Sequence, residues 1–126
     1  MISRIHSTTV IVSNQDTALE VYVGKLGWEK RADNPFGDGF RWLTVAPVGA
    51  ETELVLGTAD AYGVAADVTA RSSGISLVTN DIDATYAELS ERGVRFTQPP
   101  ERMPWGAKAT WFSDPDGNTF FLAEQP

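Results

Sequence analysis

Apolar and polar positions alternate with period two in short runs along this chain, and twice the period lengthens to that of a helix. The first β-branched run is Thr8-Thr9-Val10-Ile11-Val12, and a second, Ile75-Ser76-Leu77-Val78-Thr79, has the same character. Alternation of this kind reads as a half-buried strand. After each run an Asn or Asp offers a helix N-cap: Asn14 in the first case, Asn80 or Asp81 in the second. Ala18, Leu19, Tyr22 and Leu26 then fall at i, i+1, i+4 and i+8, one apolar stripe, and Ile82, Tyr86 and Leu89 repeat it. Gly27 and Gly93 suit the helix ends. A strand follows at once in each case, Trp28-Glu29-Lys30 and Val94-Arg95-Phe96.

Two further strands complete each half. The first half offers Phe40 to Val45 and Glu53 to Leu56; the second offers Lys108 to Phe112 and Thr119 to Leu122. Asn14 to Gly27 and Asn80 to Gly93 are both 13 residues, and the copies lie 66 residues apart. The chain therefore reads as a duplicated β-α-β-β-β unit. The spacing predicts one domain over 1–126, with module one at about 1–58, a linker at about 59–72 and module two at about 73–126. Each half is too short to bury a convincing core alone.

Composition narrows the function. The 126 residues are 42% hydrophobic and 21% charged, the balance of a globular domain. No apolar run reaches the roughly 20 residues that cross a bilayer, so no membrane partner is expected. The segment MISRIHSTTV lacks the pattern of a secretory signal, and a cytoplasmic location is expected. The net charge of −7 argues against a nucleic-acid partner, which needs a basic footprint. The absence of Cys excludes disulfides, thiolate metal sites and Cys nucleophiles.

The layout, the turn Asp114-Pro115-Asp116-Gly117-Asn118, the helix ending Tyr22-Val23-Gly24-Lys25-Leu26-Gly27-Trp28 and the junction Arg92-Gly93-Val94 together resemble the vicinal oxygen chelate superfamily. This is the glyoxalase / bleomycin-resistance / extradiol dioxygenase fold. The resemblance implies an α+β fold: two βαβββ modules forming a curled mixed sheet around a cleft, usually in a homodimer. It covers metal-dependent lyases, isomerases and dioxygenases, and also metal-free proteins that bind antibiotics unchanged. Fold alone does not choose among them.

Counted from landmarks in this sequence, the four metal-ligand positions of the enzymatic members fall on Ser7, Val55, Gly74 and Phe121. None is a good ligand, whereas a catalytic metal needs about three. The single His, His6, is one residue out of register, and a one-residue slip turns a strand side chain to the other face. Glu53 has the right parity but lies two residues from Val55. No metal or other cofactor is therefore expected. Metal-free catalysis would fall to Glu53, Asp38, Tyr62 or Tyr86, among which no base-and-orienter pairing is legible.

Strand parity assigns Val10, Val12, Leu43, Val45, Phe112, Phe120 and Leu122 to the core. It leaves Ser7, Thr9, Phe40, Trp42, Thr44, Val55, Trp111 and Phe121 on the cleft side, with Arg41 as a further hydrogen-bond donor. Trp105, in the Pro-rich loop from Pro99 to Gly106, is placed as a lid; Trp28 is assigned to packing. Aromatic walls with a few hydroxyls suit a flat, largely apolar ligand. A ligand of roughly 30 heavy atoms at ~0.3 kcal/mol each reaches ~9 kcal/mol, enough for sub-micromolar holding without chemistry. The expectation is a metal-free, dimeric protein that sequesters an aromatic antibiotic-type natural product. The alternative is a metal-dependent glyoxalase- or dioxygenase-like lyase or isomerase.

Overall fold

The computed structural model describes residues 1–35, 37, 40–64 and 72–125. The chain divides into two compact units, Met1–Thr69 and Ala70–Pro126. The fold is α+β, and its strands form two mixed sheets, one in each unit.

In the first unit the elements run β1 (Ser7–Ile11), α1 (Gln15–Leu19) with a π-helical continuation (Glu20–Lys25), β2 (Glu29–Pro35), β3 (Arg41–Ala46), β4 (Glu53–Gly57) and α2 (Ala59–Tyr62). The spatial order is β1-β4-β3-β2, with β1 parallel to β4 and the other pairs antiparallel. The second unit has β5 (Ser72–Thr79), α3 (Ile82–Glu91), β6 (Arg95–Phe96), β7 (Glu101–Arg102), β8 (Lys108–Ser113) and β9 (Thr119–Glu124). Its order, β5-β9-β8-β6, repeats the first, and β7 is an added short strand on β8. The duplication read from the sequence is thus one of topology. The sequence reading did not include α2 or β7.

The seven residues that parity assigned to the core are buried, although β3 and β4 bury residues of both faces. Val10, Val12, Leu43, Val45, Leu54 and Leu56 are buried in the first unit, with Ala18, Val21 and Tyr22 from the helix. Phe112, Phe120, Leu122 and Ile82 are buried in the second. Each of the Val, Leu, Ile and Phe side chains among them contributes about 1.5–3 kcal/mol by leaving water. Trp28 packs on Tyr22 with ring centroids 5.6 Å apart, and Tyr86 on Phe96 at 4.8 Å.

The copies differ by one residue inside the helix. The caps are Asn14, whose Oδ1 accepts from Thr17 N, and Asp81, whose Oδ1 accepts from Ala84 N. Asn14 to Gly27 is 13 residues, but Asp81 to Gly93 is 12. The first helix absorbs the extra residue by widening into a π turn, marked by the Leu26 N–H bond to Val21 O at 2.9 Å. Val21 and Tyr22, three and four residues after Ala18, are buried with it on one face.

Candidate functional site

The first unit carries an open pocket of about 610 Å³, within the range of small-molecule sites. Its aromatic walls are Phe40, Trp42 and Tyr62. Asn34 and Pro35 at the end of β2, Arg41 at the start of β3 and Ala61 of α2 complete it. Among the described residues the three aromatic rings make no stacked or edge-on pair with one another. Phe40 and Tyr62 are 40% and 43% exposed, so their faces stand available to a guest.

Arg41 is held in place by two carboxylates. Its Nε and Nη2 donate to the two oxygens of Asp33 at 2.7 and 2.8 Å, a bidentate fork, and Nη1 donates to Asp16 Oδ1 at 2.8 Å. The Arg41 guanidinium holds the Asp33 carboxyl well below the usual carboxylate range; partial burial opposes this, and Lys30 Nζ at 3.2 Å reinforces it. Asp33, and after it Asp16, push Arg41 in the opposite direction, further toward the charged form. Gln15 Nε2 donates to the carbonyls of Arg41 and Leu56 at 3.1 and 2.8 Å, fastening the helix start to β3 and β4. Arg41 is thereby tied to two carboxylates that compensate its charge.

Of the residues expected from sequence, Phe40, Arg41 and Trp42 come together in this pocket. Thr9, Val55 and Thr44 form one row across the sheet, since Thr9 pairs with Val55 and Val55 with Thr44. Ser7 stands opposite Glu53 in the next row. Thr9 is exposed, whereas Val55 and Thr44 are 2% and 0% exposed. Among the described residues Thr44 Oγ1 is the buried side-chain polar atom without a hydrogen-bond partner.

In the second unit Trp111 and Phe121 are cross-strand partners on β8 and β9, with ring centroids 5.2 Å apart. Trp105 tilts against Phe121 at 6.4 Å. The Trp105 loop is the tip of a hairpin, closed by Met103 N to Ala107 O at 2.8 Å and Arg102 Nη1 to Gly106 O at 2.6 Å. Asp38 lies outside the described residues.

The sequence reading missed Tyr62 as a wall, and with it Asn34, Pro35 and Ala61. Thr58 before and Gly63 after Ala59–Tyr62 are the cap residues of a short helix and were the available signal.

The four positions at which relatives of this fold ligate a metal do not fit one. Phe121 is packed among rings, Val55 is buried in the row just described, and Gly74 sits at positive φ (+74°) where the β5–β9 register shifts. His6 is exposed just before β1, and its carbonyl accepts from Glu53 N at 3.0 Å. Among the described residues no three His, Asp or Glu side chains gather as a ligand set.

A family model described as Glyoxalase/Bleomycin resistance protein/Dioxygenase superfamily matches residues 4–122. The chain belongs to this superfamily. A superfamily member from Sphaerobacter thermophilus DSM 20745 is 52% identical, with 98% of each chain covered and a TM-score of 0.92. TnmS3, an antibiotic binding protein from Streptomyces sp. CB03234, is 39% identical, covering 99% of this chain and 98% of its own, with a TM-score of 0.84. The uncharacterized protein YetH of Bacillus subtilis is 37% identical over 98% of this chain and its own full length. The DPDGN turn is closed by hydrogen bonds of its own residues. Asp114 Oδ1 accepts from the N–H groups of Asp116 and Asn118 at 3.0 and 2.8 Å, and Asn118 Nδ2 donates to Asp114 Oδ2 at 2.9 Å.

Proposed function

We propose that this protein holds a planar aromatic molecule of antibiotic type in the pocket of its first unit and shields it without changing it. The observation that carries the reading is the open pocket walled by three aromatic rings that do not stack on one another. Rings left free in a concave site favour a flat guest, each face contributing ~0.5–1.5 kcal/mol beyond burial. The 39% identity to an antibiotic binding protein over nearly the whole chain supports the same choice. So does the poor donor set at the metal positions, which leaves the chelate chemistry of the superfamily's enzymes without ligands. Assembly as a cytoplasmic homodimer is part of the proposal.

The test is a titration of Trp fluorescence with a panel of polycyclic antibiotics, followed by recovery of the bound compound. Saturable quenching and unchanged compound are expected. No quenching by any planar compound, or recovery of a chemically altered one, overturns the reading. One equivalent of zinc, manganese or iron per subunit after growth in metal-rich medium does so as well.

A further inference from the structure

Gly57 is buried, closes β4 and pairs with Ile11 of β1. Its carbonyl accepts from Val12 N at 2.8 Å. Its backbone is not in the left-handed region, so conformation does not require glycine there. Space does. A Cβ on Gly57 would collide with the ring of Tyr62, with Cδ2 at 2.8 Å and Cζ at 3.2 Å among the close atoms. Five residues on, α2 ends at Tyr62, and that same ring forms part of the pocket wall. The helix is one turn long, started at Thr58 without a side-chain cap bond and stopped by Gly63 in the left-handed conformation. So short a helix does not hold its position by its own hydrogen bonds. The ring seated over Gly57 is what locates it.

Resting on the binding reading above, we infer that Gly57 is a positioning residue for Tyr62, and that this pair sets the width of the pocket and so the size of planar ligand it accepts. Any side chain at 57 pushes the ring off its seat. Because the colliding atoms are the far end of a mobile side chain, the ring moves before the sheet does, and Gly57→Ala keeps its fold while its pocket changes shape.

The experiment uses two neutral probes of different ring number, anthracene-9-methanol and pyrene-1-methanol, titrated by Trp fluorescence against wild type, Tyr62→Ala, Gly57→Ala and the double variant. Tyr62→Ala is expected to weaken the anthracene probe by about three- to tenfold, the worth of one aromatic stacking contact, and to weaken the wider pyrene probe less. Gly57→Ala should follow it in direction. The double variant should lose no more than Tyr62→Ala alone, because Gly57 acts only through the ring. A readout without ligand accompanies this: the Gly57 α-protons should be displaced upfield in the wild-type NMR spectrum and return toward ordinary values in Tyr62→Ala. Wild-type binding that both single variants leave unchanged, additive losses in the double variant, or an unmoved Gly57 signal overturns the inference alone. Failure of wild type to bind either probe overturns the binding reading and the ligand role of this pair together.

Discussion

Each unit concentrates aromatic side chains on its sheet, and the two groups are built differently. In the second unit Trp105 and Trp111 each lie within ring-contact distance of Phe121, Trp111 and Phe121 directly across a strand pair. In the first unit Phe40, Trp42 and Tyr62 surround a void of about 610 Å³. The rings of the second group contact one another through Phe121, whereas those of the first make no ring pair among themselves and border open space. What holds the first group apart is legible: the Asp33 and Asp16 clamp on Arg41 fixes the start of β3, and Gly57 seats Tyr62.

That contrast can be broken experimentally, beginning with the largest effect. Within β9, Phe120 is 1% exposed and stacked on Phe112, while Phe121 is half-buried. Phe120→Ala should cost about 3–5 kcal/mol in urea denaturation and Phe121→Ala clearly less. Equal losses would show that the Phe121 face is as much core as the other.

Next comes a crossed pair. Trp42→Ala should raise the dissociation constant of a planar aromatic ligand by about tenfold with little change in unfolding free energy, and Trp111→Ala should lower the unfolding free energy by about 2 kcal/mol in urea denaturation. If Trp111→Ala also weakens binding tenfold, the ligand engages both groups and the distinction drawn between them falls.

The duplicated caps give a smaller comparison. Asn14→Ala and Asp81→Ala should each destabilise by about 1 kcal/mol, read from the thermal midpoint. A clearly larger loss for Asn14 would mean that the π turn of the first helix depends on its start.

The smallest effect concerns acid stability. Asp33 has a lower pKa folded than unfolded, chiefly because of Arg41, so its contribution is present above the unfolded value. It is lost as pH falls from the ordinary carboxylate range, near 4, toward the lower folded value. Asp33→Asn should flatten that part of the acid limb in a denaturation series. An unchanged limb would show that the clamp contributes nothing measurable, the usual result for exposed ion pairs.

Much of this was written locally. Alternation separated Phe120 from Phe121 and Val10 from Thr9, because strand side chains change face at every residue. Asn14, Gly27 and Gly93 marked helix ends through capping chemistry that needs only neighbours in the chain. The DPDGN turn marked the hairpin, and the structure shows Asp114 and Asn118 bonded to each other across it. The cap of the second helix fell on Asp81, the second of the two positions read, and the one-residue difference between the copies came to light only as a π turn. Sequence spacing counts residues but does not say which backbone bond absorbs an extra one.

The grouping of the site residues was a different matter. The sequence determined which side chains were available: four Trp, no Cys, a lone His out of register, and apolar or small residues at the metal positions. It thereby favoured an aromatic site over a chelate. Only the tertiary structure decided that Phe40, Arg41 and Trp42 share a pocket with Tyr62, that Trp105 and Trp111 pack with Phe121, and that Thr44 is wholly buried. Face and period are properties of one strand, set by backbone geometry. Which rings meet depends on register between strands and on a glycine that leaves room for a ring five residues away, and no local pattern encodes those distances.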